Sequence, residues 1–168
     1  VDFYINSDDS GGNALWDPGL FPGNIKSKAN PKIIRMTATT LDEELEELSV
    51  LNPKLIKVDT EGADQLVFEG AYKLLRDSAI PFVIAELHPF ALEKMGHSQE
   101  TLRTYMEKLG YSTFALYFDG SLPKLIPPQT HIHAKYIVNL LFSTPEMVSQ
   151  FWTYTSPKIN ENTVLPSL

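Results

Sequence analysis

The apolar and polar positions of the chain repeat with the period of a strand in some segments and with that of a helix in others. Residues 1–5 alternate apolar and polar side chains and run into a turn-forming stretch of Asn, Ser, Asp and Gly, which predicts a strand. Residues 13–31, interrupted by Gly and Pro, predict a long loop. Thr40 and Glu43 have the spacing of a capping box and predict a helix that ends near Leu51. The same reasoning predicts further strands at 33–36, 55–59, 81–86, 111–117 and 136–142, and further helices at 63–76, 90–95 and 98–109.

Strands and helices alternate between residues 55 and 117. This order is typical of βαβ units and predicts an α/β fold with a mainly parallel sheet. A Pro-rich loop without a helical pattern separates the last two strands, so we expect the final strand to run antiparallel. Residues 1–154 are expected to form one domain, and residues 155–168, rich in Pro, Ser and Asn, a flexible tail.

Composition and charge narrow the classes of protein to which the chain could belong. With 168 residues, 43% of them hydrophobic, it can form one domain with a hydrophobic core. A net charge of -7 without a basic stripe argues against nucleic acid and anionic membranes as partners. No apolar run approaches the roughly 20 residues that span a bilayer. The absence of cysteine excludes disulfides and thiolate chemistry and suits a reducing compartment, so the cytoplasm is the favoured location.

Two charged side chains interrupt an apolar strand that we expect to be buried on both faces. Lys57 and Asp59 are two residues apart and share one face, and Asp59 falls at the carboxyl end, where open α/β sheets bind ligands. Glu61 lies in the following turn, and Gly62 allows that turn to be tight and its backbone to approach a ligand. The segment therefore predicts a ligand site. The structural alternative is that Glu61 and Asp64 only complement the dipole of the next helix.

A second carboxylate occupies the same position on the next strand. Glu86 ends an apolar run, and His88 follows two residues later. If the two strands are neighbours, Asp59 and Glu86 lie at one edge and could act as a general base, as metal ligands, or as acceptors for a hydroxylated substrate. The structural alternative for Glu86 is a helix cap or an ion pair with Lys57.

Other patterns give weaker signals. His131 with His133, and Asp8 with Asp9 beside two glycines, are more typical of ordinary strands and turns than of metal sites, so no metal ligand is assigned. The sequence also contains no GxGxxG motif, no P-loop and no serine nucleophile elbow.

Five blocks of the sequence match one family pattern in order and with plausible spacing. They are TLDEEL at 40–45, IKVDTEGAD at 56–64, FEGA at 68–71, AE at 85–86 and LGY at 109–111. Together they resemble the FkbM-type methyltransferases, whose central motif is usually written K-[IV]-D-x-E-G-x-E. This chain departs from the motif at its last position, which is Asp64.

The resemblance implies the C-terminal half of a class I methyltransferase, with a doubly wound, Rossmann-like sheet whose last strand is antiparallel. It implies S-adenosylmethionine as the cofactor and a hydroxylated small molecule or sugar as the acceptor of an O-methylation. In such proteins the cofactor's glycine-rich loop and ribose-binding acidic residue come from the first two strands, which would precede Val1. We therefore expect an upstream half of the same domain as partner, and we expect this chain alone to be inactive.

The resemblance and the residue pattern together give each site residue an expected role. The catalytic residues are expected to be Asp59, Glu86 and Lys57, and the residues that contact substrate or cofactor Glu61, Gly62 and His88. In these roles Asp59 or Glu86 would be the base, and Lys57 would orient a carboxylate. Two other functions stay open at this point: a non-catalytic binding or assembly module that retains the fold, and a divalent-metal-dependent hydrolase or transferase that uses the carboxylates.

Overall fold

The computed structural model describes residues 1–50, 52–77, 80–117, 119–133 and 137–152. The strands are β1 (Asp2–Ile5), β2 (Lys32–Arg35), β3 (Leu55–Val58), β4 (Phe82–Leu87), β5 (Ser112–Leu116), β6 (Lys124–Ile126) and β7 (Val138–Ser143). The helices are α1 (Ile25–Ala29), α2 (Leu41–Glu47), α3 (Asp64–Glu69), α4 (Tyr72–Asp77), α5 (Pro89–Lys94), α6 (Gln99–Lys108) and α7 (Pro145–Phe151), and a short 3₁₀ helix spans Pro18–Leu20. The tail predicted at 155–168, the helix end near Leu51 and the strand start at Tyr136 lie outside the described residues.

The strands form two sheets, of which the larger carries the predicted site. Its order is β3-β4-β7-β5-β6, while β1 and β2 form a separate antiparallel pair. Among the described strands, β3 and β4 form the one parallel pair. Strand β7 lies between β4 and β5 and runs antiparallel to both. The expectation of a mainly parallel sheet is therefore wrong for these strands. The reason is that β4 and β5 point the same way but are separated by β7, so they do not pair with each other.

The single helix predicted at 63–76 is two helices, α3 and α4, with Gly70 and the following residue between them. The start of α2 stabilises this break. The backbone N–H of Asp42 donates to the carbonyl of Gly70 (2.9 Å), and the Asp42 carboxylate accepts the N–H groups of Lys73 and Leu74 (both 2.9 Å). The free amides at the start of α4 are thereby satisfied by a side chain from the first turn of α2.

Two segments predicted as loops contain short regular elements. The 3₁₀ helix and α1 lie within 13–31, and β6 pairs with β5 in the Pro-rich connection. Asp8 explains α1, because its carboxylate accepts the N–H groups of Lys26 and Ser27 at 2.9 and 2.8 Å. Asp8 therefore serves as a structural cap, as expected for a turn residue.

The hydrophobic core lies between the large sheet and the helices packed on it. Its fully buried large side chains include Phe68, Leu75, Leu87, Leu92, Leu102, Met106, Leu140 and Phe142. The rings of Phe68 and Phe142 meet edge to face with centroids 5.8 Å apart, which joins α3 to β7. Among the helices of the described residues, none has the length and apolar character needed to cross a membrane.

Strand β3, which carries the predicted site, is an edge strand in the described part of the chain. It pairs with β4 on one side, and Leu55 at its start is 53% exposed. The expectation that this strand is buried on both faces is therefore wrong for the described residues. Charged side chains are common on edge strands, so the edge position of β3 explains its charged residues as well as a ligand does.

The buried phenol of Tyr111 predicts a loss of stability at high pH. Its side chain is 6% exposed and its hydroxyl donates to the carbonyl of Leu75 at 3.3 Å. Burial raises the pKa of Tyr111 from 10.0 to about 12. The neutral form therefore contributes stability that is fully present below pH ~10 and is lost as the pH rises to ~12. Between pH ~10 and pH ~12, we expect the unfolding free energy of the wild type to fall by about 2 kcal/mol more than that of Tyr111→Phe. Urea unfolding at both pH values tests this, and an identical loss in the two proteins would contradict it.

Candidate functional site

Three carboxylates meet where β3 and β4 end. The strands are parallel and in register, with Val58 opposite Ala85, so Asp59 and Glu86 follow at the same level. One carboxylate oxygen each of Asp59, Glu61 and Glu86 lies within 4.8 Å of the other two. The expectation that the two strands are neighbours and bring their terminal carboxylates together is therefore confirmed.

Lys57 is held against one member of this carboxylate cluster, which comprises Asp59, Glu61 and Glu86. Its Nζ donates to Oδ2 of Asp59 at 2.6 Å, and both side chains are about half exposed. The ion pair considered for Glu86 is thus formed by Asp59 instead. An exposed pair of this kind adds little to stability. Its effect on the site is that Lys57 engages one oxygen of Asp59 and leaves Glu86 available to a ligand.

The turn that carries Glu61 has an unusual backbone held by a distant residue. Glu61 has a φ of 50°, in the left-handed region that costs a non-glycine residue about 1–3 kcal/mol. Nε1 of Trp16 donates to the Glu61 carbonyl at 2.7 Å, across 45 residues of sequence. The loop that contains Trp16 therefore stabilises the conformation that places Glu61 beside the other two carboxylates.

Gly62, the next residue of the turn, packs against α5. It has a φ of 90°, and a Cβ added there would lie 2.4 Å from the carbonyl carbon and 2.6 Å from the carbonyl oxygen of Ala91. Only glycine fits both the conformation and this approach. The close neighbour of Gly62 is thus α5, and its contact with a substrate or cofactor stays a prediction.

Burial and nearby negative charges keep protons on Glu61 and Glu86 at higher pH than usual. Burial, followed by the charges of Glu86, Asp59 and other acidic neighbours, raises the pKa of Glu61 to about 7. Burial, followed by the charge of Asp59, also raises the pKa of Glu86, while Lys57 opposes this shift. A carboxylate whose pKa approaches neutrality, as that of Glu61 does, is suited to accept a proton during a reaction.

Comparison with known protein families gives this arrangement a context. The sequence model of the family described as Methyltransferase FkbM domain matches residues 1–113, which include all six predicted site residues. The chain belongs to the FkbM methyltransferase family. The predicted resemblance is thereby confirmed, and the family supports methyl transfer as the general activity. Neither the curated proteins nor the solved structures gave a significant match.

The acidic residue that closes the motif of this FkbM methyltransferase is fully buried. Asp64 is the first residue of α3 and is 0% exposed, and burial raises its pKa. The Thr60 hydroxyl and the Gly62 amide lie near enough to oppose that shift, but neither reaches either oxygen with the distance and angle of a hydrogen bond. The dipole of α3 favours a negative charge at this place, yet it leaves both oxygens without a donor.

An aromatic group flanks the carboxylate cluster of this FkbM-family chain. His88 caps α5, because its Nδ1 accepts the Ala91 N–H at 3.3 Å, and burial lowers its pKa so that the ring is neutral near pH 7. The Phe21 ring lies 6.2 Å from His88 and 5.3 Å from Phe90, and Phe90 lies 5.6 Å from Trp16. Sequence reasoning missed these aromatic residues because two of them lie in a loop whose pattern indicates no partner. The only available signal was the presence of large aromatic side chains in a Gly- and Pro-rich segment.

Proposed function

We propose that this FkbM-family chain forms the acceptor side of an S-adenosylmethionine-dependent O-methyltransferase that acts on a hydroxylated small molecule or sugar. The observation that carries the proposal is the meeting of Asp59, Glu61 and Glu86 at the carboxyl ends of two parallel strands, within the region matched by the family. Ligands of open α/β sheets bind at such ends. The strand order β3-β4-β7-β5, with β7 antiparallel to its neighbours, agrees with a Rossmann-like class I sheet.

Glu86 is the proposed proton acceptor. One oxygen of Asp59 is already engaged by Lys57, whereas burial and the charge of Asp59 make Glu86 a stronger base than an ordinary glutamate. Removal of a proton from the acceptor hydroxyl increases the nucleophilicity of its oxygen as the methyl group is transferred. Lys57 holds Asp59 in place beside Glu86, and Glu61 accepts a hydrogen bond from a neighbouring hydroxyl of the acceptor.

S-adenosylmethionine, when bound, supplies an electrophilic methyl group on a positively charged sulfonium. The carboxylate cluster fits the positive charge of that group. The sequence has no GxGxxG motif for the adenosine and ribose. We therefore assign the residues of this chain to the acceptor and to the sulfonium end of the cofactor, and not to its nucleoside.

The aromatic group supports an acceptor that has an apolar face as well as hydroxyl groups. Phe21 is exposed and stands beside His88, which lies two residues beyond Glu86. An aromatic ring at the edge of a polar site offers a surface for the C–H face of a sugar or for a second ring. Such a surface would orient the acceptor while the carboxylates bind its hydroxyl groups.

The experiment that tests the proposal is a methyl-transfer assay with the full-length protein. Methyl-labelled S-adenosylmethionine is supplied with a panel of simple sugars and phenols, and with size-matched amines that lack a hydroxyl as controls. We expect labelled methyl ethers to form only with the hydroxylated acceptors. Label that appears only on nitrogen, or S-adenosylmethionine that fails to bind in calorimetry, would contradict the proposal, and the second result would favour a non-catalytic module.

A further inference from the structure

His88 follows Glu86 along the same side of an extended chain. Strand β4 ends at Leu87, and His88 continues it with an extended backbone, at φ -112° and ψ 91°. In an extended chain, residues two apart point to the same face, and their Cα atoms are roughly 7 Å apart. One small molecule at this edge of the sheet can therefore contact both the Glu86 carboxylate and the His88 imidazole.

The first turn of α5 fixes which nitrogen of His88 carries the proton. Nδ1 accepts the backbone N–H of Ala91 at 3.3 Å, and His88 is in this way the N-cap of α5. A backbone amide only donates, so Nδ1 has no proton of its own. A neutral imidazole with a bare Nδ1 carries its proton on Nε2. Burial lowers the pKa of the ring, which favours this neutral form.

The proton on Nε2 gives His88 a donor that is available to a ligand. Within the described part of the chain, the hydrogen bond of this side chain is the one with Ala91. The Phe21 ring lies beside the imidazole and nearly perpendicular to it, with the centroids 6.2 Å apart, and carries no lone pair. A half-buried N–H gains from an acceptor that replaces its bond to water. An oxygen of a bound molecule would supply that acceptor.

The carboxylate cluster and His88 offer opposite kinds of hydrogen bond. Carboxylate oxygens accept from hydroxyl groups, whereas Nε2–H donates. The indole N–H of Trp16, another neutral donor at this edge, is engaged by the Glu61 carbonyl at 2.7 Å. The ammonium of Lys57 is held by Asp59 at 2.6 Å. A molecule that complements this edge therefore donates through a hydroxyl and accepts through a second oxygen nearby.

We propose that His88 is a specificity-determining residue, whose Nε2–H donates to an ether or carbonyl oxygen of the acceptor close to the hydroxyl that Glu86 deprotonates. This geometry selects a molecule such as a pyranose, in which a ring oxygen and a hydroxyl belong to one small ring. A simple phenol lacks the second oxygen and is a poorer acceptor. The tautomer of His88 is independent of the proposed function, whereas the choice of acceptor rests on it.

The tautomer is tested by NMR of the full chain with ¹⁵N-labelled histidine at pH 7, through the long-range couplings between ring protons and ring nitrogens. The chain has four histidines, and the resonances that His88→Asn removes belong to His88. We expect them to show a proton on Nε2 and none on Nδ1. His97→Asn, in the loop that follows α5, is the matched control and should leave these resonances in place. A proton on Nδ1, alone or together with one on Nε2, would overturn the proposal.

His88→Asn also tests the choice of acceptor. Asn is among the best N-cap residues and keeps an oxygen for the first turn of α5, but its side chain is too short to place a donor where Nε2 lies. Methyl transfer is measured with a pyranoside and with its carba analogue, in which a methylene replaces the ring oxygen. We expect wild type to prefer the pyranoside by about tenfold in kcat/KM. His88→Asn should lose that preference, mainly through a higher KM for the pyranoside.

His88→Gln is the complementary variant and keeps the proposal testable if His88→Asn folds poorly. Its longer side chain reaches the place of Nε2 with an amide N–H, so it should retain the preference for the pyranoside, as should His97→Asn. Equal use of the two acceptors by wild type, or an unchanged preference in His88→Asn, would overturn the proposal while methyl transfer upholds the proposed function. Without methyl transfer to any hydroxylated acceptor, the proposed function and the choice of acceptor both fail, and the NMR result alone decides the tautomer.

Discussion

Replacing Glu86 by Gln should lower the kcat for methyl transfer by about 10²–10⁴-fold. The range is that of a lost general base, because Gln keeps the size of the side chain but cannot accept the proton of the acceptor hydroxyl. The KM for the acceptor should change less than kcat, since an amide oxygen still accepts a hydrogen bond. Initial rates with saturating S-adenosylmethionine, measured over a range of acceptor concentrations, separate the two effects.

The control for this variant is Glu93→Gln, the same chemical change on α5. Glu93 is exposed and its closest cation is Lys94 at 3.8 Å, so its loss should leave both kinetic constants close to wild type. A Glu86→Gln enzyme whose kcat stays within twofold of wild type would remove Glu86 as the base. Asp59→Asn would then become the decisive comparison, because Asp59 is the other carboxylate at a strand end.

Gly62→Ala should destabilise the protein by at least about 3 kcal/mol. The new methyl group would lie 2.4 Å from the Ala91 carbonyl carbon, a backbone atom that cannot move without shifting α5. The φ of 90° adds the cost of a left-handed conformation for alanine. Urea unfolding monitored by circular dichroism measures the change in the free energy of unfolding.

Gly110→Ala provides a closely matched control for that loss. Gly110 has a φ of 92°, almost the same as that of Gly62, but a Cβ there meets nothing within 4 Å. Its substitution should therefore cost only the conformational part, about 1–2 kcal/mol. The difference between the variants isolates the contact with α5. Equal losses would mean that α5 yields to the added methyl group, and that the turn carrying Glu61 is held less rigidly than the structure indicates.

The adjacency of Asp59 and Glu86 was predictable because it depends on local rules. Each carboxylate stands at the end of an apolar run, and parallel neighbouring strands end at the same edge of a sheet. These two facts predict that the two residues lie close together although they are far apart in sequence. Helix starts were equally accessible. Thr40 and Glu43 form the predicted capping box, and Ser98 caps α6 through its side chain.

Other features were not predictable because they depend on the partner of a segment and not on its own pattern. The insertion of β7 between β4 and β5 made the sheet mixed, and no periodicity within β7 specifies its neighbours. The break between α3 and α4 depends on Asp42, about 30 residues earlier. The apolar pattern of residues 63–76 therefore contains no sign of the break and predicts one continuous helix. The buried state of Asp64 likewise follows from tertiary packing, which the helix dipole argument alone could not reveal.

The bond between Trp16 and Glu61 makes the geometry of the carboxylate cluster depend on the N-terminal segment. Closing a loop of 45 residues carries an entropic cost that local turns and helices do not. The strands β3 and β4 pair without that segment, but the left-handed geometry of Glu61 gains its stabilising donor only when the segment docks. A chain in which this segment has opened would therefore keep two of the three carboxylates in place and release the third.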